Sequence, residues 1–282
     1  GVCWSTSAGP TIAGDKTSDG TGTGTFTSNL TGLQPSTTYY VRSFATNSAG
    51  TGYGPELTFT TSQIVIPSIT TAEVSSISLT SAVSGGTITT DGGADITAKG
   101  VCWAVTSNPT IANSKTSDGT GTANFTSNIT GLTPGTIYHV RAFATNSVGI
   151  AYGNDITFTT NPVVVPTLTT TVVSAITATT AASGGNISSD GGGNITQKGV
   201  CWATTADPTI ANAKTTNGPG TGIFASNLTG LLPATTYHVR AYATNSAGTA
   251  YGLDVTFTTN PVIIPTLTTV AATSITRTTA TS

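Results

Sequence analysis

Charged residues are scarce in this chain. Only 7% of its 282 residues are Asp, Glu, Lys or Arg, and the formal net charge is −2, whereas roughly 25% of an ordinary soluble domain is charged. A protein that binds nucleic acid needs a clustered basic surface, and the nine Lys and Arg residues here do not supply one. The composition therefore excludes nucleic acid as a partner.

Long apolar runs, methionine and the usual catalytic residues are also lacking. No run of 18 apolar residues occurs, so the sequence predicts no membrane span. The chain has two histidines, no methionine, no paired carboxylates and no cluster of metal-ligating residues. This inventory does not support catalysis. The chain is therefore not expected to be an enzyme or to carry a cofactor.

Threonine, glycine and proline take the place of charge. About 65 residues are threonine, a β-branched residue that favours strands. There are 33 glycines and 13 prolines, and no segment shows helical periodicity. The composition indicates an all-β protein with many turns.

An internal repeat of 99 residues organises the chain. The string GVCW begins at Gly1, Gly100 and Gly199, and Pro67, Pro166 and Pro265 keep the same spacing. The sequence predicts four parts: a partial module lacking its first strands (1–66), two complete modules (67–165 and 166–264) and the first strands of a further module (265–282). We call them the N-terminal copy, the second copy, the third copy and the terminal segment. Truncated ends suggest a window on a longer array, or a subunit that lends its terminal strands to the next one.

Each complete module is predicted to be an antiparallel β-sandwich, because short alternating segments are separated by turn signals about every 10 residues. In the second copy we expect strands near 68–72, 76–89, 95–104, 121–130, 136–146 and 149–160. Turns are expected at Gly85-Gly86, Asp91-Gly92-Gly93 and Asp118-Gly119.

The segment from Leu132 to Asn146 carries a family resemblance. Its pattern L-x-P-x-T-x-Y-x-V-x-A-x-A-x-N, followed by glycine, recurs from Leu33 and from Leu231. It resembles fibronectin type III, which implies a tandem array of Ig-like or fibronectin type III-like antiparallel β-sandwiches. The GVCW block and the Y-x-V-R-A-[FY]-A-T-N-S-x-G-x-A-Y-G ending are similar to the tandem modules of large secreted bacterial surface proteins. That resemblance implies an extracellular location on a bacterial surface, often reached by the type IX route.

The resemblance also assigns a tyrosine corner, in which a buried Tyr hydroxyl bonds the backbone of the preceding loop. The matching residues are Tyr39, Tyr138 and Tyr237. With Tyr138 inward, strict alternation assigns the following residues to two faces. Val140, Ala142 and Ala144 are expected in the core, and His139, Arg141, Phe143 and Thr145 on the surface.

The three cysteines occupy one equivalent position in each copy, at Cys3, Cys102 and Cys201. Equivalent positions in neighbouring modules would lie about 35 to 40 Å apart, and a disulfide needs Cα atoms within about 7 Å. We expect buried, free thiols with a structural role.

An aromatic and basic stripe is the candidate partner-contact face. If Lys99 points outward, alternation places Trp103 outward and Cys102 inward, whereas a bulge at Gly100 would reverse both. With Trp103 outward, it would stack on Arg141 across adjacent strands. The stripe contains Trp4, Trp103, Trp202, Arg42, Arg141, Arg240, His139 and His238. This stripe either contacts a partner or packs only within its own module, where it covers a sheet face.

The segment from Asp91 to Asp95 is the best candidate for a calcium site in the sequence. Calcium prefers six to eight oxygen ligands, and the third copy replaces one of these carboxylates with Asn194. A plain Asp-Gly turn is the favoured interpretation.

The linkers bracket β-branched residues with prolines, as in Pro162-Val163-Val164-Val165-Pro166. Such a segment is stiff and extended, and its apolar side chains are expected to pack against module ends. The sequence therefore favours a structural and adhesive protein, a semi-rigid stalk or filament. Its partners would be neighbouring modules, other copies of the chain, or a cell-surface or glycan ligand. The alternative is a set of spacer modules in a secreted enzyme such as a polysaccharide hydrolase.

Overall fold

The computed structural model describes residues 1–282 and contains β-strands but no helix. There is accordingly no helix long and apolar enough to cross a membrane. The chain divides into two compact units, Gly1–Asn161 and Pro162–Ser282. The module boundaries at residues 66, 165 and 264 stay predictions.

The N-terminal copy forms a single antiparallel sheet. Its strands are β1 (Val2–Ser5), β2 (Asp15–Lys16), β3 (Thr38–Asn47), β4 (Gly50–Tyr53) and β5 (Leu57–Thr60). They are ordered β2-β1-β3-β4, and β5 also pairs with β3.

The second copy forms two sheets. Its strands are β6 (Ser68–Thr71), β7 (Ser81–Thr90), β8 (Ala98–Ala104), β9 (Ser114–Lys115), β10 (Phe125–Thr130), β11 (Ile137–Thr145), β12 (Ile150–Tyr152) and β13 (Ile156–Thr159). A three-stranded sheet has the order β10-β7-β6. A five-stranded sheet has the order β12-β11-β8-β9, with β13 also on β11.

The third copy repeats this arrangement. Its strands are β14 (Thr167–Ser174), β15 (Thr180–Ser189), β16 (Gln197–Ala203), β17 (Ala213–Lys214), β18 (Gly222–Thr229), β19 (Thr236–Asn245), β20 (Gly248–Tyr251) and β21 (Val255–Thr258). The sheets are β14-β15-β18 and β17-β16-β19-β20, with β21 on β19. Paired antiparallel sheets of this topology are Ig-like or fibronectin type III-like sandwiches, so the predicted fold class is confirmed.

The core of the second copy lies between its two sheets. Val101, Ile129, Val140, Ala142 and Ala144 are fully buried there. The third copy has an equivalent core that includes Val200, Leu228, Val239, Ala241 and Ala243. Three of the predicted core residues, Val140, Ala142 and Ala144, are therefore confirmed.

The predicted turn at Gly85-Gly86 is wrong, because both residues lie inside β7. A Cβ atom at Gly86 would lie 2.7 Å from the Cβ of Ala142 and 2.9 Å from the ring of Phe125. Glycine at position 86 leaves room for Ala142 of the facing sheet and for the Phe125 ring of β10, so its role is in packing rather than in a turn. The turn at Asp91-Gly92-Gly93 is confirmed, with positive φ at Gly92 and Gly93. The predicted turn at Asp118-Gly119 is wrong, because both residues pair with Lys99 of β8: Asp118 donates its N–H to the Lys99 carbonyl at 2.9 Å, and Gly119 accepts the Lys99 N–H at 3.0 Å.

Several strand limits also differ from the prediction. The expected strand 149–160 is two strands, β12 and β13, separated at Gly153, where a Cβ would meet the β6 backbone of Thr71 at 2.6 Å. The two-residue strand β9 was not expected, and β7 and β10 begin later than predicted. In the terminal segment, the expected strands are absent and one isolated bridge joins Thr273 to Thr281. Strands need paired neighbours, which β14 and β15 obtain from each other and from β18.

Lys99 points inward, contrary to the sequence expectation. It is opposite Ala144 of β11 and is only 5% exposed. Its ammonium group donates to the carbonyls of Gly121 at 3.1 Å and Ala123 at 2.6 Å, and lies 5.5 Å from the centroid of the Phe125 ring. These carbonyls and the ring replace water around the buried charge.

Candidate functional site

The outer face of the five-stranded sheet carries a group of polar side chains, which we call the arginine cluster. In the second copy it consists of Asn108, His139, Arg141, Tyr152 and Asp155. Arg141 lies on β11, where its Nε donates to the carbonyl of Gly153 at 2.8 Å. Its guanidinium lies 4.8 Å from the centroid of the Tyr152 ring, within range of a cation–π interaction.

The same arginine geometry occurs in the other copies. Arg42 donates to Gly54 at 3.2 Å and lies 4.5 Å from the Tyr53 ring centroid. Arg240 donates to Gly252 at 2.9 Å and lies 4.8 Å from the Tyr251 ring centroid. The predicted partner of Arg141 was Trp103, and that prediction is wrong. The observed partner is Tyr152, which lies on β12, the strand paired with β11.

A carboxylate forms the second part of the cluster. His139 Nδ1 lies 3.0 Å from Asp155 Oδ2, which also accepts the backbone N–H of Asn108 at 2.8 Å. In the third copy His238 lies 2.9 Å from Asp254, which accepts the N–H of Asp207 at 2.9 Å. In the N-terminal copy Tyr40 replaces the histidine, and Glu56 accepts the N–H of Gly9 at 2.5 Å.

The carboxylate holds an unusual backbone position. Gly9, Asn108 and Asp207 have φ values of 76°, 54° and 55°, a left-handed conformation that glycine, asparagine and aspartate tolerate best. A buried proline follows each of them. The identity of this residue decides what faces the arginine, because Asp207 Oδ1 lies 3.4 Å from Arg240 Nη1.

Trp103 faces the core side of its sheet, and the expected outward position is wrong. It pairs with the buried Val140 and packs, partly buried, against the core. Trp103 lies on the same face of β8 as Lys99, because the two residues are four apart and the β8–β11 register is uninterrupted. Trp4 and Trp202 are also half-buried. Their role in partner contact stays a prediction.

Cys102 lies on the outer face, opposite Arg141, yet it is fully buried. The segment 105–113 covers it, and its thiol donates to the carbonyl of Pro109 at 3.3 Å. Burial raises the pKa of the Cys102 thiol to about 11, and that of Cys201 likewise to about 11. The raised pKa makes the thiols of Cys102 and Cys201 poor nucleophiles at neutral pH. All three cysteines are free and buried.

Phe143 is also buried on the outer face, where a surface position was expected. It is 5% exposed and lies opposite Gly100. A Cβ at Gly100 would lie 3.0 Å from the Phe143 ring and 2.6 Å from the carbonyl of Thr116. The missing side chain of Gly100 therefore leaves room for the ring beneath the segment that follows β9.

The tyrosine corners are buried at one end of the five-stranded sheets. Tyr138 is 9% exposed, and its hydroxyl accepts the N–H of Thr133 at 3.1 Å. Tyr39 and Tyr237 accept the N–H groups of Gln34 and Leu232 at 2.9 and 3.0 Å. Each ring stacks on a phenylalanine of the neighbouring strand, at 5.7 to 5.8 Å between centroids: Phe59, Phe158 and Phe257.

The segment from Asp91 to Asp95 forms a turn. Asp91 Oδ1 accepts the N–H of Gly93 at 2.8 Å, as expected for Asp-Gly chemistry. No group of three or more His, Cys, Asp or Glu side chains is gathered in the chain.

Sequence reasoning missed two sets of residues. One is the tyrosine under the arginine, whose signal is the Y-G pair that recurs at Tyr53, Tyr152 and Tyr251. The other is the asparagine of the N-S-x-G ending. Asn146 and Asn245 are 4% and 5% exposed, and each donates to two backbone carbonyls. Recurrence in every copy was the available signal for both.

Comparisons with known proteins give a limited result. No protein-family model matches the sequence, and no curated protein matches it. Among solved structures, the FN1-FN3 domains of chicken CNTN1 are 18% identical, with a TM-score of 0.29, over 80% of this chain and 76% of theirs. Domains A168-A170 from titin are 20% identical, with a TM-score of 0.28, over 80% of this chain and 75% of theirs. Likenesses at this level assign no function.

Proposed function

We propose that this protein is a non-catalytic extracellular repeat protein. Its modules form a semi-rigid stalk or filament on a bacterial surface and mediate attachment to cells or surfaces. The repeat, the sequence resemblance and the charge-poor, threonine-rich composition support this role. The observation that carries it is the way each linker is bonded into the module that follows it.

An asparagine clamp holds each linker. In the second copy, Asn146 Nδ2 donates to the carbonyls of Val65 at 2.7 Å and Asp91 at 2.8 Å. Val65 also donates its N–H to the carbonyl of Gly92 at 2.9 Å. A Cβ at Gly92 would lie 2.1 Å from the Val65 carbonyl, so only glycine permits this approach. The linker is thus an extra strand-like segment on the turn.

The third copy has the same clamp. Asn245 donates to the carbonyls of Val164 and Asp190, both at 2.7 Å, and Val164 donates to Gly191 at 2.9 Å. At the end of the second copy, the N–H of Asn161 donates to the carbonyl of Ser78 at 2.9 Å. Only two residues, Pro162 and Val163, separate these anchored positions. The proline-bracketed, β-branched composition of this segment is that of a stiff, extended linker, which the proposed stalk requires.

Small-angle X-ray scattering of the 282-residue chain tests the stalk. A compact globule of this length has a radius of gyration of about 19 Å, whereas modules placed end to end, each about 35 to 40 Å long, give a clearly larger value. We expect the larger value for the wild type and a broader distance distribution for the double variant Asn146→Ala/Asn245→Ala. A wild-type chain with the compact value would overturn the proposal.

Asn47→Ala is the matched control for that experiment. Asn47 occupies the same position in the N-terminal copy, where its side chain accepts the N–H of Ala49 and holds no linker. This variant is expected to scatter like the wild type. Electron microscopy of the native assembly then separates the two forms, since several chains in cross-section define a filament and one chain defines a stalk. Absence of the protein from the cell exterior would contradict both.

A further inference from the structure

The three copies differ at the residue that faces the arginine. In the third copy this residue is Asp207, and its carboxylate lies 3.4 Å from Arg240 Nη1. In the second copy it is Asn108, and in the N-terminal copy it is Gly9. Neither supplies a carboxylate, and the terminal Nη groups of Arg141 and Arg42 make no hydrogen bond or ion pair within the chain. The third copy shows which chemical group fits this place.

Arg141 is already held in a binding geometry. Its Nε is fixed by the carbonyl of Gly153, and the Tyr152 ring supports one face of the guanidinium. The remaining planar edge can donate two parallel hydrogen bonds, one to each oxygen of a single carboxylate. Because the side chain is ordered before binding, little conformational entropy is lost when a ligand arrives.

The surroundings favour a single carboxylate on a neutral carrier. Asp155 belongs to the same cluster, and the chain has a net charge of −2, so a densely charged polyanion would be repelled. Beside the arginine, the exposed segment 105–108 offers the hydroxyls of Thr106 and Ser107 and the amide of Asn108. These uncharged groups suit the hydroxyls of a sugar.

We propose that Arg141 and Asn108 form a binding site for a sugar acid within an otherwise neutral glycan. The guanidinium binds the carboxylate, and the side chains of the segment 105–108 contact neighbouring hydroxyls. In the third copy Asp207 competes with this ligand for Arg240. The inference names the partner chemistry of the adhesive role proposed above and rests on that role for its biological meaning.

NMR titration of the intact chain with D-glucuronate tests the site, and D-glucose is the neutral control. The Nε–Hε signals of Arg141 and Arg42 and the side-chain amide of Asn108 are expected to shift with glucuronate, while the signal of Arg240 shifts less. Equal shifts with glucose and glucuronate would overturn recognition of the carboxylate.

Two reciprocal variants exchange the residue that faces the arginine. Asn108→Asp is expected to lower the affinity at Arg141 by about fivefold, and Asp207→Asn to raise the affinity at Arg240 by about fivefold, because an ion pair with a largely exposed carboxylate is weak. Both replacements suit the left-handed backbone at these positions. Arg141→Lys keeps the charge but removes the planar pair of donors, and it is expected to lose binding at that copy alone. Unchanged affinity at Arg141 in Asn108→Asp would overturn the argument from the residue that faces the arginine.

A third ligand separates the carrier from the carboxylate. A capped Gly-Glu-Gly peptide presents one carboxylate without sugar hydroxyls, and it is expected to bind Arg141 more weakly than glucuronate. Tighter binding of the peptide would overturn the sugar assignment in favour of an acidic peptide. The scattering experiment is independent of these titrations, so an extended chain that binds no glucuronate would leave the stalk in place and remove only this site.

Discussion

The N-terminal copy and the second copy each contain a five-stranded sheet, but only the second copy also has a three-stranded sheet. In both copies the corner tyrosine is buried, with Tyr39 6% and Tyr138 9% exposed, and Cys3 and Cys102 are fully buried. The second sheet changes the burial of residues on the opposite face of β3 and β11. Ala144 is fully buried, whereas its counterpart Ala45 is exposed.

This difference separates two levels of organisation. The tyrosine corner, the covered cysteine and the stacked arginine need only the five-stranded sheet and the segments that cover its outer face. The hydrophobic core needs the three-stranded sheet as well. The arginine geometry of the candidate binding face is therefore present in a copy that has the five-stranded sheet alone.

The largest loss of stability is expected when a core side chain is removed from the three-stranded sheet. Ile129 on β10 is fully buried, so Ile129→Ala loses burial and leaves a cavity that costs about 2 to 5 kcal/mol of stability. Native-state hydrogen exchange of β11 amides measures the loss.

Leu30→Ala is the matched change in the N-terminal copy. Leu30 is only half-buried, so a much smaller loss is expected there. Leu228→Ala repeats the change at a fully buried site of the third copy and is expected to match Ile129→Ala. Equal losses for Leu30→Ala and Ile129→Ala would contradict the assignment of core stability to the second sheet.

The sequence predicted the sandwich, the corner and the buried thiols because these depend on local alternation, turn residues and recurrence. It failed on the faces of β8 through one premise. Lysine is almost always exposed, so Lys99 was placed outward, and every residue that followed took the opposite face. The carbonyls of Gly121 and Ala123 that accept its ammonium come from a distant part of the chain, which alternation cannot reveal.

Phe143 failed for a related reason. Alternation placed it correctly on the outer face, and the error was to equate that face with solvent. Gly100 on the neighbouring strand and the covering segment near Thr116 enclose the ring. The arginine cluster was half predicted for the same reason: Arg141 and His139 were named, but Tyr152 and Asn108 reach them only through tertiary packing.

Alkylation of the cysteines sharpens the comparison on the shared sheet. Since the thiolate is the reactive form, a Cys102 pKa of about 11 rather than the ordinary value of 9.0 reduces its thiolate fraction about a hundredfold near pH 8. The iodoacetamide rate of Cys102 is expected to keep rising until about pH 11. Mass spectrometry of each cysteine-containing peptide follows the rates.

Cys3 is the internal test of that experiment. It is fully buried in a copy that has one sheet only, and its thiol donates to the carbonyl of Pro10 at 3.4 Å. We expect slow labelling of native Cys3 and fast labelling in urea. Fast labelling of native Cys3 would show that the covering segment needs the second sheet after all.

Loss of the corner hydroxyl is expected to have a moderate and equal effect in both copies. Tyr138→Phe and Tyr39→Phe each remove one hydrogen bond to a loop N–H, a cost of about 1 kcal/mol. Hydrogen exchange of Thr133 and Gln34 measures the local loss. A cost confined to Tyr138→Phe would place the corner under the control of the second sheet and merge the two levels of organisation.

The smallest effect is expected at Asp19, whose counterpart in the third copy is Asn217. Hydrogen bonds from Ser28 and then Thr17 lower the pKa of Asp19 below its ordinary value of 3.8. A lowered pKa in the folded state means that these bonds contribute stability above pH 3.8, and that the contribution is lost as the pH falls through the folded-state pKa. In the third copy Asn217 accepts the equivalent hydroxyls without titrating. Asp19→Asn is therefore expected to flatten the acid-side decline in the urea midpoint of the N-terminal copy, followed by NMR, and to leave the third copy unchanged. An equal decline in wild type and variant would show that these two hydrogen bonds add nothing to the shared sheet.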